Sequence, residues 1–103
     1  MGDRRMAEIK TKQGSLYLYT HHHGYSFPKM ARKAVETAKP RLGDESYWVR
    51  IVIDQMTKEA RDEETGFGIM LRPTAEDEYN NGNPSLIIDA TTGTVEEVLS
   101  KRR

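Results

Sequence analysis

The sequence predicts a two-layer α+β domain in which two helices pack on one face of a mostly antiparallel four-stranded sheet. Residues 15–20 alternate with the period of a strand, two amphipathic stretches follow within residues 26–56, and the last apolar runs surround a glycine turn. The predicted order is therefore β-α-α-β-β-β. Since every element has to bury its apolar face against another, the helices form one layer and the strands the other.

The first predicted strand is Ser15–Thr20. Leu16 and Leu18 fall on one of its faces, and Tyr17 and Tyr19 fall on the other. Residues 1–13 precede it and are polar. We expect this leader either to be disordered or to form a short edge strand.

The first predicted helix runs from about Pro28 to Lys39. Ser26 is suited to the N-cap position, and Pro28 is tolerated in the first turn because a helix does not need its missing N–H there. Pro40 and Gly43 end the pattern. Apolar residues recur at helical spacing between these signals, at Met30, Ala31, Ala34, Val35 and Ala38.

A second helix is predicted to begin after Asp44, because a broad apolar stripe follows that residue. Val49 and Ile53 lie outside the stripe and widen the apolar face of the helix. This width indicates burial between layers or contact with another protein chain. The stripe consists of Tyr47, Trp48, Ile51, Val52, Gln55 and Met56.

The last part of the chain is predicted to supply the remaining strands. Gly66–Leu71 is an apolar run, and residues 72–84 form a long polar loop. Ser85–Ala90 and Thr94–Leu99 flank Gly93 in the pattern of a hairpin. We expect one domain over residues 14–100, followed by a basic tail at residues 101–103.

Composition excludes several classes of protein. Lysine plus arginine (16) equals aspartate plus glutamate (16), so no overall charge attracts nucleic acid or an anionic membrane. The absence of cysteine excludes disulfides, thiolate zinc sites and a cysteine nucleophile. Neither a signal peptide nor a membrane span is predicted, and we expect a cytoplasmic protein. Because only 36% of residues are hydrophobic, we also expect a homo-oligomer that buries additional area.

All three histidines, His21, His22 and His23, lie between the first strand and the first helix. If the strand continues, His21 and His23 point to the same side, and either Asp89 or Asp54 is a candidate carboxylate partner. This pattern is compatible with a small hydrolase or nuclease in which either histidine is a general base or a metal ligand. The sequence fixes no third ligand, so we predict no metal or other cofactor and keep a metal at His21 and His23 as the alternative.

The same junction also suits an anion. The N-terminus of a helix presents unpaired N–H groups and positive dipole, and Lys29, Arg32 and Lys33 lie in its first turns. Residues 25–43 contain five basic residues and a single acidic residue, Glu36. A nucleotide or a nucleic-acid backbone would find complementary charge here. The alternative is that this charged helix face only keeps the protein hydrated.

Four motifs together resemble a family of small bacterial and phage-borne proteins, over about residues 14–95. They are Tyr17–His21, the Gly24–Pro28 junction, Thr65–Ile69 and Leu86–Asp89. The resemblance implies no catalytic residue. It implies a phage-like or mobile-element context, in which small proteins bind macromolecules or signalling nucleotides. Similar sequences carry an aromatic or acidic residue in place of His22 and His23, which counts against a two-histidine metal site.

The favoured prediction is a non-enzymatic binding module for a phosphate-bearing ligand or a macromolecular partner. The alternative is a hydrolase or nuclease that uses His21 or His23, oriented by Asp89. A third possibility is a protein partner docked on the second helix. The candidate ligand-binding residues are His21, His23, Tyr25, Lys29, Arg32 and Lys33.

Overall fold

The computed structural model describes residues 3–73, 80 and 82–98. Short 3₁₀ turns, Lys39–Arg41 and Lys58–Ala60, follow the two helices. The strands and helices are β1 (Arg5–Thr11), β2 (Gly14–Thr20), α1 (Phe27–Ala38), α2 (Glu45–Thr57), β3 (Phe67–Met70), β4 (Leu86–Asp89) and β5 (Thr94–Glu97).

The strands form one sheet in the order β3-β2-β1-β4-β5. Neighbouring strands are antiparallel except β1 and β4, which pair in parallel. The α+β class with two helices is confirmed. The predicted four-stranded sheet is wrong, because the sheet has five strands and is mixed.

The additional strand is β1, which lies in the middle of the sheet although its residues were predicted to belong to a polar leader or a sheet edge. Ala7 and Ile9 alternate with Glu8 and Lys10, as the period of a strand requires. On the core face of β1 only Ala7 and Ile9 are apolar, and Met6 is buried on the opposite face, so the hydrophobic pattern of β1 is a weak signal. It is held by ladders to β2 on one side and to β4 on the other.

The core is one cluster between the sheet and the helices. Its strand members alternate along β1, β2 and β4 and therefore share one sheet face, so both helices pack on that face, as predicted. Val49 and Ile53, the candidates for a docking face, are partly buried against this cluster. The helix side chains in the cluster are Phe27, Ala31, Ala34, Ala38, Trp48, Val52 and Met56.

A buried arginine connects the sheet to the start of α1. The Arg5 side chain is 7% exposed, and its guanidinium lies 3.6 Å from Oε1 of Glu97. Its Nε donates to Oγ of Ser85 (2.8 Å), and its Nη1 donates to the carbonyl oxygen of Gly24 (3.3 Å). Arg32 of α1 donates to Oε2 of the same Glu97 carboxylate (2.8 Å). This network fixes β1, β5 and α1 relative to one another.

Glu97 gives this network a pH dependence. The hydrogen bond from Arg32, supported by the charges of Arg32 and Arg5, lowers the pKa of Glu97 below its ordinary value of 4.5. The folded state therefore binds its proton less readily than the unfolded state, so the stabilisation is present above pH 4.5 and is lost as the pH falls through the folded pKa. The effect is small because the carboxylate is 40% exposed.

Replacing Glu97 with glutamine is expected to lower the urea midpoint at pH 7, and the difference from wild type is expected to shrink as the pH falls below 4.5 and the wild-type carboxylate becomes protonated. The measurement is urea unfolding of both proteins at pH 7 and at a series of pH values below 4.5. A difference between the two proteins that does not change over this series would show that the charge of Glu97 does not stabilise the fold.

Over the described residues, no helix is long and apolar enough to span a membrane. The predicted basic tail, residues 101–103, lies outside the described residues, as do residues 74–79 and 81 of the predicted loop.

Candidate functional site

The backbone turns sharply at the histidine junction. β2 ends at Thr20, and the His21 N–H donates to the carbonyl oxygen of Gly66 (3.0 Å), which extends the pairing with β3 by one residue. The His23 N–H then donates to Oγ1 of Thr20 (3.1 Å), so the chain folds back on the strand end. His21 and His23 therefore do not share a side as they would in a continued strand.

His21 and His22 line one cleft beside β3. The Tyr19 hydroxyl lies 2.9 Å from Nδ1 of His21, and the rings of His21 and His22 meet edge to face with centroids 4.5 Å apart. The cleft has a volume of about 570 Å³ and is bounded on its other side by residues 64–68.

His23 lines a different cleft, which we call the His23 cleft. Its ring stacks on Phe67 of β3, with centroids 5.4 Å apart and planes inclined by 9°. The cleft lies between α1, α2 and β3 and has a volume of about 200 Å³. Besides His23 and Phe67, it is lined by apolar Met30, Ala34 and Met56, and by polar or charged Lys33, Gln55, Lys58 and Glu59.

The N-terminus of α1 holds an anion that belongs to the chain itself. Oδ2 of Asp3 accepts a hydrogen bond from the Tyr25 N–H (2.7 Å). The Asp3 backbone also pairs with the junction, accepting from the Gly24 N–H (2.8 Å) and donating to the His21 carbonyl oxygen (2.7 Å). Ser26 occupies the N-cap position, but its hydroxyl makes no capping hydrogen bond. The Asp3 carboxylate thus occupies the position at the start of α1 where the sequence analysis predicted the phosphate of a ligand.

The predicted ligand-binding residues do not form one site. His23 and Lys33 line the His23 cleft, whereas His21 lines the other cleft. Tyr25 is 91% exposed, and Arg32 is engaged with Glu97. The remaining candidate, Lys29, is exposed on α1 and lines neither of the two clefts.

The structure adds residues that the sequence analysis did not select. Lys58 and Gln55 reach the His23 cleft from the end of α2, and Phe67 reaches it from β3. These residues are 22 or more positions from Lys33 in the sequence. No local pattern identifies them as part of a site, because only the packing of α1 against α2 and β3 brings them together.

Asp89 lies at the opposite end of the sheet from the histidines. Lys10 of β1 pairs with both Asp89 of β4 and Ser15 of β2. His21 follows Ser15 by six residues, which corresponds to about 20 Å along an extended strand. Asp89 is therefore too far away to orient His21 or His23.

The role of Asp89 is structural. Its Oδ1 accepts hydrogen bonds from the backbone N–H (2.9 Å) and the hydroxyl (2.6 Å) of Thr91. These hydrogen bonds lower the pKa of Asp89 below its ordinary value. The carboxylate stabilises the turn between β4 and β5.

A metal centre finds no support in the described ranges, where no three histidine, aspartate or glutamate side chains lie close enough to hold an ion. No protein-family model matches the chain, and no curated protein or solved structure is similar enough to count as a match. The resemblance to small bacterial and phage-borne proteins stays a prediction, and the function has to be inferred from the geometry of the clefts.

Proposed function

We propose that the protein is a non-enzymatic binding module that holds a phosphate-bearing ligand in the His23 cleft. The observation that supports this most is that His23, Lys33 and Lys58 converge on one partly apolar cleft from three different segments. Basic side chains around an apolar floor are the chemistry that recognises an anionic group attached to an organic body.

The two lysines supply the charge. Lys33 projects from α1 and Lys58 from the end of α2, and both are exposed. Lys58 donates to Oε1 of Gln55 (3.3 Å), and within the described residues Lys33 forms no ion pair. Their ammonium groups are point charges suited to phosphate oxygens. Glu59 lines the same cleft and partly offsets this charge.

The apolar floor supplies a surface for the rest of the ligand. Phe67 carries the stacked ring of His23, and Met30 and Met56 line the same cleft. Aromatic faces and methionine thioethers accept flat or irregular groups without requiring a particular hydrogen-bond pattern. A volume of about 200 Å³ is small for a binding site. It suits a phosphate with part of its attached group, while the rest of the ligand lies outside the cleft.

The test is calorimetric titration of the wild type and three single variants with adenosine 5′-monophosphate, with inorganic phosphate in parallel. Lys33→Ala and Lys58→Ala are each expected to weaken binding about tenfold, which corresponds to about 1.4 kcal/mol. Lys29→Ala is the matched control, because it removes the same charge from the exposed face of the same helix, outside the cleft. Its affinity is expected to stay within about twofold of wild type.

Two results would contradict the proposal. The wild type giving no heat with either ligand would exclude a phosphate site at the His23 cleft. Equal weakening in Lys29→Ala and Lys33→Ala would show general attraction to a basic surface rather than binding in the cleft.

The hydrolase alternative has less support. It needs His21 or His23 together with an orienting carboxylate, and its candidate carboxylate, Asp89, lies about 20 Å along the sheet from the junction. The two histidines also line different clefts.

A further inference from the structure

The two edge strands of the sheet, β5 and β3, differ in charge and therefore in how readily another strand could pair with them. β5 carries Glu96 and Glu97 side by side, and charges of this kind discourage edge-to-edge pairing. β3 has no charged residue over Phe67–Met70. Ile69 is 57% exposed, and Leu71, which follows the strand, is 80% exposed. Among the described residues no strand pairs with β3 on its outer side, and this edge is apolar.

The pairing with β2 fixes which backbone groups of β3 are directed towards that edge. His21 and Gly66 are opposite each other, and the His21 N–H donates to the Gly66 oxygen, which identifies a hydrogen-bonded pair. Since such pairs alternate along antiparallel strands, Gly68 and Met70 also direct their N–H and C=O groups towards β2. Phe67 and Ile69 direct theirs towards the free edge.

We propose that β3 pairs antiparallel with β3 of a second copy of this chain, about a two-fold axis at Gly68. Only residues with outward backbone groups can exchange hydrogen bonds, so Phe67 pairs with Ile69 of the partner subunit, and Ile69 pairs with the partner's Phe67. Two five-stranded sheets then become one continuous sheet of ten strands.

The side chains suit this register. Phe67 and Ile69 share the helix-side face of the strand, so each exposed Ile69 packs beside Phe67 of the partner subunit. Gly68 faces its own copy at the axis, where the absence of side chains permits close approach. Continued past the strand ends, the register would set Glu64 opposite Arg72 of the partner subunit. Both side chains are exposed, and symmetry repeats this pair of opposite charges. A shift of two residues would separate the pair.

The four residues of β3 make a small interface, so the dimer is expected to dissociate on dilution, with a Kd of about 1–100 µM. Sedimentation velocity from about 0.1 µM to 1 mM measures this equilibrium. Wild type is expected to pass from monomer to dimer across the range. A monomer at every concentration would overturn the proposal.

Ile69→Pro tests the edge itself. Proline removes the N–H that is directed outward, but it leaves the hydrogen bonds of Gly68 and Met70 to β2 in place. The variant is expected to be monomeric throughout, with the circular dichroism spectrum of the wild-type monomer. Ile69→Val is the matched control and should still dimerise. A folded Ile69→Pro variant that dimerises like wild type would overturn the proposal.

Charge exchange tests the register and does not depend on proline. Glu64→Arg and Arg72→Glu are each expected to raise Kd about fivefold or more, because like charges then face each other across the axis. The double variant restores opposite charges and is expected to return to within about twofold of the wild-type Kd. Failure of the double variant to recover would overturn the pairing about Gly68.

Discussion

Replacing Trp48 with alanine is expected to lower the free energy of unfolding by about 3–5 kcal/mol, since this is the usual cost of truncating a buried large aromatic residue. Trp48 is 0% exposed and belongs to the one core cluster. The hydrophobic contribution of its side chain is lost and a large cavity remains. Urea unfolding at pH 7 measures the difference in the free energy of unfolding.

Trp48→Phe is the matched control. Among the described residues, the indole Nε1 has no hydrogen-bond partner. Phenylalanine removes this buried donor while keeping most of the aromatic area, so the expected cost is below about 2 kcal/mol. A Trp48→Ala variant within about 1 kcal/mol of wild type would contradict the position of Trp48 in the core.

Gly24→Ala is expected to lower the free energy of unfolding by about 1–3 kcal/mol, the usual cost of forcing atoms into a filled space. A Cβ at this position would lie 2.7 Å from the backbone oxygen of Asp3 and 2.6 Å from its Oδ1. A backbone oxygen moves only with its chain, so the Asp3 segment has to leave the junction. The hydrogen bonds from Gly24 and Tyr25 to Asp3 are then lost.

Asp3→Ala separates the contribution of the Asp3 carboxylate from that of the Asp3 backbone. It removes the carboxylate that accepts from the Tyr25 N–H but keeps the backbone pairing of residue 3. Its expected cost is about 1 kcal/mol, typical of losing a side-chain acceptor at a helix start. Thermal unfolding of both variants measures the two costs. A Gly24→Ala variant as stable as wild type would show that Asp3 does not pack against the junction.

Local sequence signals predicted most of the elements. Ser26 with Pro28 and Asp44 marked the helix starts to within one residue, although neither the Ser26 nor the Asp44 side chain makes a capping hydrogen bond. The strands β2, β3 and β4 were found from their own apolar patterns. Each of these predictions depends on residues that are neighbours in the sequence.

The predictions that failed depend on distant contacts. β1 is central because β2 and β4 flank it, although its own apolar face consists of Ala7 and Ile9 alone. Likewise, the contact of Asp3 with Tyr25 spans 22 residues, and no local pattern predicts it.

The candidate site also depends on contacts between residues that are far apart in the sequence. His23 and Lys33 were selected from the sequence, but Lys58 reaches the same cleft only through the packing of α1 against α2. The sequence also could not show that His21 and His23 line different clefts, because the chain bends after the end of β2 and the spacing of a continued strand no longer applies.

If the His23 cleft holds the phosphate-bearing ligand, titration of ¹⁵N-labelled protein with adenosine 5′-monophosphate, followed residue by residue by NMR, is expected to give saturable shifts. These shifts are expected only around His23, Lys33, Lys58 and Phe67. Shifts centred on Tyr25 and Lys29, or an unchanged spectrum at millimolar ligand, would show that the ligand does not bind in this cleft.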